Sequence, residues 1–281
     1  MNKKAPWLAA LSVLAGLSTT HALDAPASVQ LYALDGGTIE MADLGMFSDT
    51  GEYDGKAGKL PAPSFLIRHP KGDLVWDAGL GDTLASRGTV KTPIPGISFS
   101  VTKTVVSQLA ELGLAPKDVE YVAFSPLHGD HTGNAGLLTN AIWLVGAREL
   151  SWARGKPTPA GVDAKNLQAL KPGKLQASDY DVDVFGDGSV RILRTPGHTP
   201  DHRVLMLKLA HAGTVLLSGD LYHIKESVAA RRVPAVNQSR ADTLASFERV
   251  SKLLERSKGR LVVQHSQEDF NALPKFPSFL D

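Results

Sequence analysis

The sequence predicts an α/β (α+β) chain in which two β-sheets face each other and helices cover the outer faces. Two observations point there: apolar, β-prone runs alternate with amphipathic helical stretches, and four of those runs stop at short turns that carry histidine or aspartate. A third sets the scale. With 281 residues, 43% of them hydrophobic, the chain can bury a large core, and the polar turns span almost all of it, which favours one domain over two.

In chain order, Lys3 and Lys4 precede an apolar stretch from Ala5 to Leu17, and Thr20-His21-Ala22 offers a small residue at a cleavage point. That is the pattern of a secretory signal peptide over residues 1–22, with an apolar run short for a permanent span. It leaves residues 23–281 as the folded domain, periplasmic or secreted from a bacterium, with no stable membrane anchor after cleavage; an uncleaved anchor is the alternative. Val29 to Leu34 and Thr38 to Met41 read as an opening hairpin around Gly36-Gly37. The stretch from Met46 to Pro63, rich in Gly, Asp and Ser with Phe47 and Tyr53, reads equally as a lid and as a solvated loop. Ser64 to Arg68 and Leu74 to Trp76 form a second hairpin around Pro70-Lys71-Gly72. Val101 to Leu112 is an amphipathic helix that ends before Gly113, and Val119 to Phe124 is a buried strand. Val190 to Leu193, Thr214 to Leu217 and Leu261 to Val263 are further strands. Ala241 to Leu254 is a second helix, with Leu244, Phe247, Val250 and Leu254 on its core face.

The strand ends carry the chemistry. Val119 to Phe124 leads to His128, Asp130 and His131, in a stretch broken by Gly129, Gly133 and Gly136 that favours a turn over a helix. The later strands lead to His198, Asp220 and His265. Taken singly, these read as a turn histidine, a helix cap and a capped strand end. Taken together they are a metal site in pieces. Imidazole and carboxylate suit zinc and similar divalent ions, and ligands from separate strand ends fit an open, hydrolytic site better than a closed structural one.

Charge and cysteine content narrow the function. Loss of Lys3 and Lys4 takes the formal net charge from +1 to −1, and no basic cluster remains to follow a phosphate backbone, so nucleic acid is not the substrate. With no cysteine there are neither disulfides nor thiolate ligands.

The chain resembles the metallo-β-lactamase fold superfamily from about Val29 to Phe279. His128, Asp130 and His131 match its H-x-H-x-D-H motif, His198, Asp220 and His265 follow in the family's order, and Asp77 in Leu74-Val75-Trp76-Asp77-Ala78-Gly79 matches an early aspartate that supports the ligands from behind. The resemblance implies an αββα sandwich of two facing mixed sheets. It also implies two Zn2+ ions, one held by His128 and His198, the other by Asp130, His131 and His265, with Asp220 bridging. One position departs: where the family's first histidine belongs stands Pro126, which has no donor atom. The first site is thereby weakened, and one ion rather than two is a live expectation.

Within the superfamily the chain is most similar to the N-acyl-homoserine lactonases. Val29-Gln30-Leu31-Tyr32-Ala33-Leu34-Asp35-Gly36-Gly37 resembles their opening, and Thr195-Pro196-Gly197-His198-Thr199-Pro200-Asp201-His202 their third motif, with Asp201 where glycine is usual. Asp220-Leu221-Tyr222-His223 resembles their bridging segment, in which a tyrosine stands three residues after the aspartate; here His223 does, with Tyr222 one earlier. The resemblance implies a quorum-quenching hydrolase that opens a lactone ring by attack of a metal-bound hydroxide. Asp130 helps the leaving alkoxide and Tyr222 or His223 steadies the oxyanion. The partner is then a small ester or lactone, and a homodimer stays open. The alternatives are a phosphotriesterase, arylesterase or β-lactamase of the same superfamily, or a non-catalytic binding protein with an incomplete site. His202 is expected to support its loop, and His69 and His211 to sit in surface turns.

Overall fold

The structure is a computed structural model that describes residues 25–281; the expected signal peptide of residues 1–22 lies outside the described residues. The strands and helices run β1 (Gln30–Leu34), β2 (Thr38–Met41), β3 (Gly58–Pro61), β4 (Ser64–His69), β5 (Gly72–Ala78), β6 (Val90–Lys91), β7 (Ile97–Ser100), α1 (Val105–Glu111), β8 (Tyr121–Ala123), α2 (Gly129–Thr132), β9 (Ile142–Gly146), α3 (Ala147–Ala153), β10 (Leu175–Ser178), β11 (Val182–Asp183), β12 (Val190–Arg194), β13 (Arg203–Leu209), β14 (Gly213–Leu217), α4 (Glu226–Ala230), α5 (Arg240–Ser257), β15 (Arg260–Val262) and α6 (Gln267–Asn271). One sheet has the order β1-β4-β5-β8-β9-β10, a second β11-β12-β13-β14-β15 and a smaller third β3-β2-β7-β6.

Alternation along the strands shows why the first two sheets face each other. In β4, Phe65 and Ile67 join Trp76, Val190, Ile192, Leu205, Leu207 and Val215 in a core drawn from both sheets. Leu66, between them in sequence, points the other way and packs with Val105, Leu109 and Leu150 from α1 and α3. The second sheet repeats this, with Leu193, Val204 and Leu216 turned outward onto Phe247 and Val250 of α5. Strands apolar on both faces therefore build helix, sheet, sheet, helix. Both sheets are mixed: β5, β8 and β9 run parallel, as do β14 and β15, whereas β4–β5 and β12–β13–β14 are antiparallel.

The hairpin at Gly72 forms as expected, with β4 antiparallel to β5. The opening hairpin does not. β1 pairs with β4 in the first sheet, while β2 pairs with β3 and β7 in the third. Gly36 marks the crossing between sheets: a Cβ there would lie 2.3 Å from the Ala62 carbonyl oxygen and 2.9 Å from Gly79 Cα. The third sheet also decides the segment from Met46 to Pro63. It is neither a free lid nor a solvated loop, because β3 lies within it and Phe47, Tyr53 and Leu60 are buried in one cluster. Tyr53 Oη lies 2.9 Å from Ser227 Oγ and accepts a hydrogen bond from Arg232.

Helix α1 starts at Val105 rather than Val101, since the Thr104 side chain caps it by accepting the Ser107 N–H. His69 departs from the expected surface turn. It is buried, 2.9 Å from Asp187 Oδ2 and stacked on Phe185 at 4.0 Å. His211 is exposed, beside Asp281.

Candidate metal centre

Asp77, the penultimate residue of β5, stands at the sandwich edge and organises the polar turns around it. Ser125, two residues past β8, donates its N–H to Asp77 Oδ1 and its hydroxyl to Oδ2, both at 2.7 Å. Gln264, two residues past β15, donates from Nε2 to Oδ2 at 2.8 Å, while its Oε1 accepts from Trp76 Nε1 and the Gly219 N–H. One buried carboxylate thus ties the ends of three strands.

The ligand candidates converge above it. His128 occupies the N-cap position of α2, so the expected turn is a single helical turn instead, and it sets His128 and His131 on one side. Asp220 sits in a one-turn 3-10 helix after β14, and its carboxylate is the hub. Its Oδ1 lies 3.0 Å from His131 Nε2 and 2.8 Å from His265 Nε2, while Asp130 Oδ2 approaches the same two nitrogens at 3.6 and 3.8 Å. Its Oδ2 lies 3.2 Å from His198 Nε2, 3.6 Å from His128 Nδ1 and 3.6 Å from His223 Nε2. Donor atoms of His128, His198 and Asp220 fall within 4.8 Å of one another, and so do those of Asp130, His131 and His265.

The histidines are held with a lone pair turned inward. His265 Nδ1 lies 2.8 Å from the Pro61 carbonyl and donates to it, and His131 Nδ1 lies 3.0 Å from Asp77 Oδ2, which leaves both Nε2 atoms facing Asp220. His202 supports its loop from below. Its Nε2 accepts the Asp220 N–H at 2.9 Å and its Nδ1 lies 2.9 Å from Thr195 Oγ1.

Burial and charge act against each other here. Burial alone would raise the Asp220 carboxyl, but His131, His223 and His265 hold it well below the usual range. Burial would lower His131, yet Asp220, Asp130 and Asp77 hold it well above 6.5, and His265 rises for the same reason. Burial prevails at His198, lowered to about 4, and at His202 and His223, which are lowered as well.

This donor set fits a divalent cation. His131 Nε2 is buried and has no hydrogen-bond partner despite facing a carboxylate oxygen 3.0 Å away. Nitrogen and carboxylate donors of this kind suit zinc.

Of the candidate pair, only His223 is in the cluster. Tyr222 turns into the second-sheet core, 4.4 Å from Phe247 with the rings nearly parallel, and burial lifts its phenol to about 12. Its expected place beside the oxyanion is therefore withdrawn: the extended backbone at Tyr222 sends it and His223 to opposite sides. Reading the sequence missed Glu149. Buried on α3, it accepts the N–H groups of Leu127 and Asp201, both at 3.1 Å, and so links the loops bearing His128 and His198. No local motif marks it. Asp201, at the position where glycine was expected, pairs with Arg194 and Arg203.

Comparison with known proteins agrees with this geometry. The family described as the metallo-beta-lactamase superfamily matches residues 57–256. The chain is 30% identical over 266 residues to the N-acyl homoserine lactonase AttM of Azorhizobium caulinodans, covering 90% of this chain and 99% of that protein. It is 31% identical to AttM of Rhizobium radiobacter, covering 89% of this chain and 98% of that one. Among solved structures, an N-acyl homoserine lactone hydrolase with N-hexanoyl-L-homoserine at its catalytic metal centre superposes with a TM-score of 0.77 at 24% identity, covering 89% of this chain and 98% of that one. AidC, a dizinc quorum-quenching lactonase, does so with a TM-score of 0.65 at 17% identity, covering 89% of each chain. At such identities the structural likeness speaks for the fold.

Proposed function

The chain belongs to the metallo-beta-lactamase superfamily, a metal-dependent hydrolase by that membership, and from this premise we propose that it opens the ring of N-acyl-homoserine lactones with zinc as its metal. The observation that carries the reading is the convergence of two donor groups on the two oxygens of Asp220, in a chain that aligns with lactonases along nearly their whole length.

His128, His198 and Asp220 would hold one ion, and Asp130, His131, His265 and Asp220 the other. When bound, such ions supply Lewis acidity and a water acidic enough to yield hydroxide near neutral pH, with a pKa of about 7 against 15.7 in bulk. The chain's own residues do the rest. Asp77 at His131 Nδ1 and the Pro61 carbonyl at His265 Nδ1 hold those imidazoles in place and in the tautomer that leaves Nε2 free. Asp130 is about one-fifth exposed, so its carboxylate can take the proton released on attack and return it to the leaving alkoxide oxygen. His223 faces the same space, whereas Tyr222 does not. Asp77, with no exposed surface, holds His131 at Nδ1.

Turnover of N-hexanoyl-homoserine lactone, paraoxon and a cephalosporin, measured side by side, tests the substrate class. The lactone is expected to be hydrolysed with a kcat/KM at least 100-fold above the others, the size of about 2.7 kcal/mol in transition-state binding. Preference for paraoxon or the cephalosporin would overturn the lactonase reading and leave the hydrolase. We also propose a single catalytic domain over 23–281, exported to the periplasm after cleavage near Ala22. The N-terminal sequence of the protein recovered from periplasm tests this, and an intact Met1 would contradict it.

A further inference from the structure

Resting on the metal reading above, we infer that His223 supplies the donor that Pro126 cannot, so that the first ion is held by His128, His198, His223 and Asp220. Three observations carry this. Asp220 divides its surroundings evenly: Oδ1 faces His131, His265 and, through them, Asp130, while Oδ2 faces His198, His128 and His223 at 3.2, 3.6 and 3.6 Å. Counting Asp220 on both sides, the group with Asp130, His131 and His265 has four donors, and the group on Oδ2 equals it only if His223 is included. Without it the first group has three, since Pro126 offers no donor atom.

The second observation is what His223 lacks. It is 6% exposed, and the Nε2 it turns toward the centre is 3.6 Å from Asp220 Oδ2, too far for a hydrogen bond. A histidine present only for packing would have its polar atoms satisfied, as His202 and His69 do here. Third, the ring is already oriented. It stacks on Phe47 at 4.5 Å and lies parallel to His265 at 5.8 Å, and its centroid is 5.0 Å from that of His198. Phe47 is itself fixed in the cluster under the third sheet, so the plane of His223 is set by packing before any ion arrives. The sequence therefore moves a ligand rather than losing one, from the turn after β8 to the turn after β14.

The test is metal content of the full chain after reconstitution with zinc, by elemental analysis and by competition with a chromophoric chelator. Wild type is expected to hold two ions and His223→Ala one. The affinity for the second ion should fall by more than the roughly 10- to 100-fold that loss of a ligand's hydrogen-bond partner costs. Combining His223→Ala with Pro126→His is expected to restore two. Two ions in His223→Ala at unchanged affinity would overturn the inference. So would one ion in both wild type and His223→Ala, which leaves the metal reading standing. No ion in wild type would overturn the metal reading itself. Should His223→Ala fail to fold, zinc titration of the 15N-histidine-labelled wild type decides instead: a ring-nitrogen resonance of His223 that moves with the second equivalent supports the assignment, and one that stays in place overturns it.

Discussion

Asp77 adopts φ 54°, a conformation that a residue with a side chain adopts at a cost, and its carboxylate is fixed by hydrogen bonds from Ser125 and Gln264. The strain is tolerated because that carboxylate sets the tautomer of His131. Asp77→Asn should therefore weaken zinc binding at the site proposed for His131 about 10- to 100-fold, read by chelator competition, with the fold retained. Tyr222 gives the opposite expectation. Its ring lies against Phe247 away from the donors, so Tyr222→Phe should leave kcat/KM within about twofold. Tyr222→Ala should destabilise the protein by about 3–5 kcal/mol in chemical denaturation. A large loss of activity in Tyr222→Phe with the metal retained would put the phenol back at the site. At this scale the sequence shows the donors well, since His128, Asp130, His131, His198, Asp220 and His265 stand in short turns after apolar strands. It cannot show which of two neighbours faces inward. That depends on the backbone angles of one residue past a 3-10 turn.

Among the elements, the loops after β8 and β12 are joined through α3. Glu149 accepts one N–H from each, and removing it leaves two buried donors unsatisfied, at about 1–3 kcal/mol apiece. Glu149→Ala should accordingly lower the unfolding free energy of the metal-free protein by several kcal/mol. Burial raises the Glu149 carboxyl above its ordinary 4.5. An acid whose folded pKa is raised favours the native state fully below its unfolded value and loses that contribution as pH rises through the folded value. Wild type should therefore lose stability relative to Glu149→Gln on titration upward from about pH 4.5, in metal-free denaturation curves; an identical pH dependence in the two proteins would contradict it. Glu149 was not legible because its partners are backbone groups 22 and 52 residues away. The misread opening hairpin has a similar cause. Gly36-Gly37 looks like a tight turn locally, but β4 and β7 compete for the two strands and win them for different sheets. The apolar runs at Val119 to Phe124, Val190 to Leu193, Thr214 to Leu217 and Leu261 to Val263 do form strands, β8, β12, β14 and β15, because short apolar β-prone runs and burial agree there.

Across the whole molecule, two mixed sheets meet over an apolar core, and the candidate metal centre lies at the edge where β5, β8, β12, β14 and β15 end. The third sheet belongs to the same device: β3 ends at Pro61, whose carbonyl orients His265, and Phe47 backs His223. Lacking cysteine, the chain has no disulfide to reduce, so a thiol reductant should leave its unfolding midpoint unchanged. Zinc at 100 times its Kd should raise the unfolding free energy by about 2.7 kcal/mol per site, and a chelator should remove that gain in a thermal melt. The layered fold was legible from alternating apolar strands and helices; the third sheet was not, since its strands are short and scattered from Thr38 to Ser100, β3 lies in the segment rich in Gly, Asp and Ser, and β2 reads locally as the partner of β1.

Hydrolysis of N-hexanoyl-homoserine lactone by the metal-stripped full chain, followed as zinc is returned one equivalent at a time, tests the central claim most directly. The stripped protein is expected to be inactive, with turnover rising to a plateau at two equivalents. Turnover that survives complete removal of metal, or that never appears at two bound equivalents, would contradict it.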